Sequence, residues 1–259
     1  LLTLAAGGHP APARFAFFLQ RAEELRDPAR VFTLAPDDFA LINPNTRTCP
    51  VFRDRRDAEL TRAVYRRVPV LVREGDPAGN PWGVEFFRMF DMANDSHLFR
   101  TREELERAGF TLHGNVFQRG EERYLPLYEA KLVHQFDHRW ASYGGPGRLG
   151  QPPEAGGPPY LERAPRKADE AVELTADTKA DPELVVLPRY WVPEREVEAK
   201  LAEKGWSRGW LLGWRDIARS TDERTVIASV IPRVAVGDTF LLMLPDISRL
   251  EFVPCLLAN

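Results

Sequence analysis

The sequence predicts an α+β fold, a mixed sheet with flanking helices, and three observations support this class. Amphipathic helical segments and short apolar runs of strand character follow one another without the regular alternation of a βαβ protein. No internal repeat of roughly 20 to 50 residues is visible. The chain has 259 residues and is 44% hydrophobic, which is enough to form a core.

The first half of the chain has elements that follow from apolar periodicity and turn residues. In order, we expect a strand at 1–4, a helix at 12–25, a link at 33–41, a turn at 43–46, a helix at 57–66, a strand at 68–72 and an apolar strand or short helix at 85–90. The helix at 101–108 has the clearest ends, because Thr101 and Glu104 form a capping box and Gly109 follows it. A hairpin around Gly120 should come next.

The second half of the chain contains a segment rich in Gly and Pro, residues 144–165. This composition is typical of a mobile insertion, because it has little capacity to bury apolar surface. After it we expect a helix at 193–204 that begins with Pro193 and ends at Gly205. The remaining elements are strands at 210–217, 225–232 and 239–244, with a turn at 235–238.

Composition excludes several classes of protein. No apolar run approaches the ~20 residues of a membrane span, so we expect a soluble chain with no membrane partner. Two cysteines, Cys49 and Cys255, suit a reducing cytoplasm and are too few for a disulfide framework. The first residues lack a charged leader and an initiator Met, so the chain reads as an excised fragment.

Charge is distributed unevenly along the chain. The net charge of -3 argues against a uniformly basic nucleic-acid binder. The segment from Arg47 to Glu74, however, contains eight arginines and four acidic residues, a local excess of four positive charges. Arginine suits phosphate oxygens and guanine edges, although a GC-rich genome would raise the arginine content equally well.

The run from Tyr124 to Tyr143 concentrates histidines, acids, a lysine, an arginine and aromatics. A helix would place His134 and His138 on one side as metal ligands, with Glu129 or Asp137 as a third. The run lacks the glutamate that follows the first histidine of zinc-protease helices, so hydrogen-bonded or solvent-facing histidines are the simpler interpretation.

An acid-x-Lys pair offers a second kind of chemistry. Glu129 and Lys131 follow a predicted strand, where such a pair can hold Mg²⁺ and activate water if Asp91 or Asp95 completes the site. Acid-x-Lys pairs also occur by chance in most chains of this length. The alternative of a metal-dependent nuclease or hydrolase therefore stays open.

Two polar segments outside this run could also contact a ligand. The sequence Asn43-Pro-Asn-Thr resembles the Asn-Pro-Pro-aromatic element of amino-group DNA methyltransferases, but Thr46 cannot stack on a flipped base, so we expect a plain turn. The sequence Arg219-Ser-Thr-Asp-Glu-Arg-Thr lies between two predicted strands and could present its side chains to phosphates or base edges. A solvated hairpin tip is the simpler interpretation of this second segment.

Three motifs together carry a resemblance to a known family. They begin at Asn43 (Asn-Pro-Asn-Thr-Arg-Thr-Cys-Pro-Val-Phe-Arg), Tyr128 (Tyr-Glu-Ala-Lys-Leu-Val-His-Gln-Phe-Asp-His-Arg-Trp) and Arg215 (Arg-Asp-Ile-Ala-Arg-Ser-Thr-Asp-Glu-Arg-Thr). Over nearly its whole length the chain resembles the region that follows the catalytic core in large bacterial adenine-specific DNA methyltransferases. These enzymes belong to restriction-modification and phage-defence systems and include the type IIG restriction enzymes.

The resemblance implies a target-recognition region that binds double-stranded DNA and positions it for the catalytic core. Because the methyl-donor motif and the Asn-Pro-Pro-Tyr element are missing from the sequence, we expect no catalysis and no cofactor in this fragment, and S-adenosylmethionine only in the full-length enzyme. The implied organisation is a tail of the methyltransferase core with a connecting helix at 1–30, a first recognition part at 31–143, a linker at 144–185 and a second recognition part at 186–259.

Under this resemblance the candidate DNA contacts are side chains that carry positive charge or present hydrogen-bonding edges. They are Arg53, Arg55, Arg56, Lys131, His134, Gln135, Asp137, His138, Arg139, Arg215, Arg219, Ser220, Thr221 and Arg224. A competing interpretation is an interaction module in which the same motifs dock on the chain's own methyltransferase core or on a partner subunit. A third interpretation is the metal-dependent nuclease or hydrolase, with a site formed by Glu129, Lys131, His134 and His138.

Overall fold

The computed structural model describes residues 12–143, 147–148, 170–219, 221–246, 248 and 251–257. Contacts divide the chain into two compact units, Leu1–Trp82 and Gly83–Asn259. Over the described residues both helices and antiparallel sheets occur, which confirms the α+β class. No helix within these ranges combines the length and apolarity needed to cross a bilayer. Most of the Gly- and Pro-rich segment, and the strand predicted at 1–4, lie outside the described residues.

The first unit is built around a small aromatic core. Strand β1 (Ala13–Phe15) pairs antiparallel with β2 (Phe32–Leu34), and a 3-10 turn, Ala22–Arg26, lies between them. The helix predicted at 12–25 is therefore wrong. The extended segment brings the ring of Phe15 to 6.1 Å from that of Phe32, and this packing outweighs the helical periodicity of the sequence.

Two helices lie in the described part of the first unit. Helix α1 (Pro36–Ile42) replaces the link predicted at 33–41, because Pro36 suits the first helical turn and Asp38 accepts a hydrogen bond from the Ala35 amide at 2.9 Å. Helix α2 (Arg55–Arg67) confirms the prediction at 57–66 and begins two residues earlier because Asp54 caps it. The turn at 43–46 is confirmed, whereas the strand predicted at 68–72 is not formed.

In its described residues the second unit contains two larger sheets and two short two-stranded ones. Its strands are β3 (Glu85–Phe87), β4 (Thr111–His113), β5 (Val116–Arg119), β6 (Glu122–Tyr128), β7 (Ala141–Tyr143), β8 (Gly147–Arg148), β9 (Ala171–Glu173), β10 (Leu184–Val185), β11 (Trp191–Pro193), β12 (Trp210–Arg215), β13 (Ala228–Pro232), β14 (Ala235–Val236) and β15 (Phe240–Leu244). One sheet has the order β11-β6-β5-β4, and the other has the order β13-β12-β15-β3. Strands β7 and β9 form a separate pair, as do β8 and β10.

Helices α3 (Arg102–Arg107), α4 (Ala176–Lys179), α5 (Glu194–Glu203) and α6 (Phe252–Leu257) complete the second unit, with 3-10 turns at Ser96–Leu98 and Ala130–Leu132. The predicted capping box of α3 is present, with reciprocal bonds between Thr101 and Glu104. The hairpin around Gly120, helix α5 and the last three predicted strands are also confirmed, with shorter ends. A buried cluster that includes Leu127, Val192 and Phe240 packs between these elements.

One prediction in the second unit is wrong. Residues 235–238 do not form a turn, because Ala235 and Val236 pair in parallel with Leu127 and Tyr128 of β6. The chain turns only after Gly237. This short parallel strand makes the β6 sheet mixed and fixes the end of β6, where the candidate site begins.

Gly213 lets two strands approach closely in the other sheet. A Cβ at this position of β12 would lie 2.5 Å from the carbonyl oxygen of Leu241, so no side chain fits between the strands. Strand β12 is consequently held tightly between β13 and β15. The loop that leaves β12 starts from this rigid support.

Candidate functional site

A half-open cleft of about 910 Å³ lies in the second unit. Its walls come from the end of β6 and the following turn, from β9 and the residue before it, and from the loop that follows β12. The lining residues are Glu129, Ala130, Lys131, His134, Trp140, Ala141, Glu170, Ala171, Glu173, Arg215, Asp216, Ile217, Arg219, Asp222 and Thr239. The fold therefore brings together two sequence motifs, those that begin at Tyr128 and at Arg215.

Residues 134–137, after β6, form a tight turn and not the helix that a shared face for His134 and His138 would require. The His134 amide donates to the Asp137 carbonyl at 2.7 Å, and the Asp137 amide donates back to the His134 carbonyl at 3.0 Å. Phe136 inside this turn has a left-handed φ of 61°, which a right-handed helix excludes. The two histidines thus do not share a helix face: His134 lines the cleft, whereas His138 is not part of its wall.

Three of the predicted contact residues bind to the protein's own backbone. Gln135 donates to the Leu257 carbonyl at 2.6 Å and accepts from the Ala228 amide at 2.8 Å. Arg139 donates to the carbonyls of Asp181 and Lys179, both at 2.8 Å. Asp137 accepts from the Arg139 amide at 2.8 Å and from Lys179 Nζ at 2.8 Å. These side chains organise the turn, and their hydrogen-bonding groups are engaged.

An aromatic wall stands beside this turn. The His134 ring lies 4.3 Å from that of Trp140, centroid to centroid. The Lys179 ammonium lies 4.5 Å from the centre of the Trp140 ring, a geometry that favours a cation-π contact. Trp140 lines the cleft, so it presents a stacking surface there as well as anchoring the turn.

Positive charge in the cleft comes from Lys131, Arg215 and Arg219. Lys131 and Arg219 are exposed. Arg215 is half-buried, and its Nε donates to the Val133 carbonyl at 2.8 Å, which ties the two motifs together. Burial lowers the pKa of the Arg215 guanidinium from its usual value, but arginine remains charged at neutral pH.

Negative charge in the cleft exceeds the positive charge. Its five acids are Glu129, Glu170, Glu173, Asp216 and Asp222. Burial raises the pKa of the Glu129 carboxyl, opposed in part by a hydrogen bond that the Tyr143 hydroxyl donates at 3.2 Å. Asp222 accepts from the Arg219 amide at 2.7 Å and so helps to shape the loop. The cleft is mixed in charge and is not a simple phosphate channel.

The pKa values of both histidines in the run are lowered, which favours the neutral imidazole. Burial lowers the pKa of His134, and a nearby Arg215 charge lowers it further. Burial also lowers the pKa of His138, with Arg139 acting in the same direction. Near neutral pH each ring therefore offers one donor and one acceptor instead of a positive charge.

The remaining predicted contacts lie elsewhere. Arg53, Arg55 and Arg56 belong to the first unit and are exposed, and Arg55 also donates to the Val31 carbonyl through Nε at 3.3 Å and Nη2 at 3.2 Å. Thr221 and Arg224 are exposed in the loop after β12 and do not line the cleft. Ser220 lies outside the described residues.

The geometry of a metal-dependent site is incomplete. Among the described residues, no group of three or more His, Cys, Asp or Glu side chains is arranged to hold a metal ion. Asp91 accepts backbone hydrogen bonds from Ala93 and Asn94, and Asp95 accepts one from the Asp91 amide. Neither aspartate joins Glu129 in the wall of the cleft.

Four of the five acids in the cleft are not among the residues predicted from the sequence. Glu170 directly precedes β9 and Glu173 ends it, about 40 residues from Lys131, and no local pattern relates them to this lysine. Asp216 and Asp222 lie inside the motif that begins at Arg215, so the sequence alone could have marked their carboxylates as candidate site residues. Comparison of the chain with models of protein families, with curated proteins and with solved structures finds no match.

Proposed function

We propose that this chain is a DNA target-recognition fragment of an adenine-specific, S-adenosylmethionine-dependent DNA methyltransferase of the restriction-modification and phage-defence class. It binds duplex DNA and positions it for a catalytic core, with no catalysis of its own. The observation that carries the proposal is the convergence of two family-like motifs on one cleft, although their first residues, Tyr128 and Arg215, lie far apart in the sequence. An α+β fold with a mixed sheet suits such a target-recognition domain.

The charges of the cleft support contact with base edges as well as with phosphates. Lys131 and Arg219 are exposed and can reach phosphate oxygens. Carboxylates such as those of Asp216 and Glu173 can accept hydrogen bonds from the exocyclic amino groups of cytosine. A mixed cleft of this kind favours a modest number of phosphate contacts within the cleft itself.

The first unit supplies a second basic surface. Arg53 and Arg56 are exposed beside the start of helix α2, and Arg66 and Arg67 are exposed at its end. In the proposed function these arginines contact phosphates and carry no sequence information. We assign no methyl-donor site to any part of the chain.

The first test is the binding of a labelled random-sequence duplex to the 259-residue chain, followed by fluorescence anisotropy at increasing salt. Lys131→Ala should weaken binding to all sequences alike and reduce the slope of log K against log salt by about 1. Arg195→Ala is the matched control, because this exposed arginine of α5 does not line the cleft. Absence of duplex binding at low salt, or equal losses in the two variants, would overturn the proposal.

A second candidate function is a docking module for the methyltransferase core. The observation that favours it is an exposed apolar row on and just after helix α2, formed by Leu60, Val64 and Val68 at intervals of four residues. Such a row is typical of a surface that another protein covers. The hydrogen bonds that Gln135 and Arg139 donate to backbone carbonyls also favour docking over DNA binding. These motif side chains are not available to DNA.

The two functions separate in the longer enzyme that the resemblance implies. The double substitution Leu60→Ser with Val64→Ser should lower methylation and make the junction between core and recognition region more sensitive to protease. Duplex binding by the 259-residue chain should stay unchanged. Unaltered methylation and protease resistance would exclude this docking surface.

A further inference from the structure

Phe136 occupies an unusual position for an aromatic residue. Its φ is 61°, in the left-handed region that bulky side chains rarely adopt, and the residue is 60% exposed. Glycine or asparagine would fit this backbone with less strain. The exposed ring gains little from burial, so packing within the chain does not account for a phenylalanine here.

Hydrogen bonds hold the turn around Phe136 rigidly. The Phe136 amide donates to the Ala228 carbonyl at 3.0 Å, while the neighbouring Gln135 side chain accepts from the Ala228 amide at 2.8 Å. Paired backbone bonds between His134 and Asp137 close the turn. The ring is therefore presented outward by a fixed frame, which is the arrangement in which backbone strain accompanies a binding role.

The residues around the Phe136 ring indicate the kind of ligand that the ring contacts. The guanidinium of Arg224 lies over the Phe136 ring, 6.0 Å from its centre. The loop that carries Arg224 also carries Ile217, which is exposed at the wall of the cleft, and Arg219. A flat apolar side chain beside a guanidinium group matches stacked bases beside a phosphate.

We propose that Phe136 is a wedge that enters a base step of duplex DNA and unstacks it, with Arg224 contacting the adjacent phosphate. This inference rests on the proposed function and deepens it, because it names the residue that deforms the duplex at the recognition site. Insertion of one apolar side chain partly unstacks a step and bends the duplex. Sequence preference then arises at the inserted step, since pyrimidine-purine steps unstack most easily.

The test uses duplexes selected from a random pool by the 259-residue chain, with 2-aminopurine placed at successive positions. Wild-type protein should raise the fluorescence of the probe at one step. Phe136→Gly should abolish that rise and weaken binding by roughly 5- to 100-fold. Its melting temperature should stay the same or rise by roughly 2–4 °C, because the strain of the left-handed residue is removed. Phe136→Leu keeps an apolar wedge and should restore part of the rise in fluorescence.

Phe18 provides a matched control. It also has a left-handed φ, 57°, and a side chain that is 66% exposed, but it lies in the first unit. Phe18→Gly should leave the 2-aminopurine signal unchanged.

The outcomes distinguish this inference from the function on which it rests. If the wild-type chain binds no duplex at low salt, the proposed function fails and the wedge fails with it. If it binds DNA but Phe136→Gly gives the wild-type affinity and signal, the wedge alone is overturned. A fall in melting temperature together with lost binding in both the Gly and Leu variants would make Phe136 a structural residue and would also overturn the inference.

Discussion

The turn at residues 134–139 and the loop between β12 and β13 look alike in sequence but differ in structure. Both are polar, both adjoin strands, and both carry arginine and acidic side chains. In the turn, Gln135 and Arg139 are bound to backbone groups of distant segments. In the loop, the side chain of Arg219 is exposed at the cleft. A polar run can therefore be either a scaffold or a contact surface, and its composition does not distinguish them.

The difference depends on where each hydrogen-bond partner lies. Arg139 reaches carbonyls about 40 residues later in the chain, and Gln135 reaches a carbonyl more than 120 residues later. Hydrogen bonds to such distant partners stabilise the fold. Their loss lowers the free energy of unfolding, because buried backbone groups are left unpaired. An exposed side chain loses little stability when truncated. Substitutions in the turn and in the loop should therefore differ measurably in their effect on the free energy of unfolding.

The largest expected effect is that of Arg139→Ala. Its loss leaves the carbonyls of Lys179 and Asp181 without their charged donors, so the free energy of unfolding should fall by about 2–3 kcal/mol. Urea unfolding followed by tryptophan fluorescence measures this loss. Arg219→Ala, an exposed arginine of the loop, is the control and should stay within about 0.5 kcal/mol of wild type. An Arg139→Ala variant of unchanged stability that binds DNA poorly would reverse the comparison.

A smaller effect is expected for Gln135→Ala. The substitution removes the acceptor for the Ala228 amide and the donor to the Leu257 carbonyl, so we expect a loss of about 1–2 kcal/mol. Because Leu257 ends helix α6, amide exchange over residues 252–257 should accelerate. Gln118→Ala removes one exposed bond to the Gly120 carbonyl and serves as the control. Equal exchange rates in the two variants would show that Gln135 does not hold the helix.

The smallest effect concerns Glu129. Burial raises its pKa above the ordinary 4.5, so between 4.5 and that raised value the folded chain binds more protons than the unfolded chain and stability falls as pH rises. Glu129→Gln removes this penalty and keeps an acceptor for the Tyr143 hydroxyl. The variant should gain stability over wild type above about pH 4.5 and lose this gain below it. Urea midpoints from about pH 4 to about pH 8 measure this difference, and a constant difference across the range would contradict it.

Local signals in the sequence predicted much of the second unit. The capping box of α3, the Gly120 turn and the alternating apolar runs of β12, β13 and β15 each act within a few residues. The local sequence at Ala235 and Val236 predicts a turn, whereas their pairing with β6 depends on residues more than 100 positions earlier. In the first unit, the packing of Phe15 on Phe32 overrode a helical pattern for the same reason.

The candidate site was predictable only in part. Lys131, His134, Arg215 and Arg219 were chosen from their chemistry, and the fold places all four in one cleft. The left-handed conformation of Phe136 and the backbone partners of Arg139 could not be foreseen, since both depend on segments that are distant in sequence. Glu173 was overlooked for the same physical reason.

The parallel pairing of β14 with β6 has a consequence for synthesis on the ribosome. Strand β6 is made early, but its last residues, Leu127 and Tyr128, gain their β14 partners only when Ala235 and Val236 emerge. At about 5–20 residues per second, roughly 5 to 20 seconds separate the two events. During that interval the end of β6 presents unpaired backbone groups, which favour association with other chains. The nascent second unit is therefore most in need of a chaperone before its C-terminal strands appear.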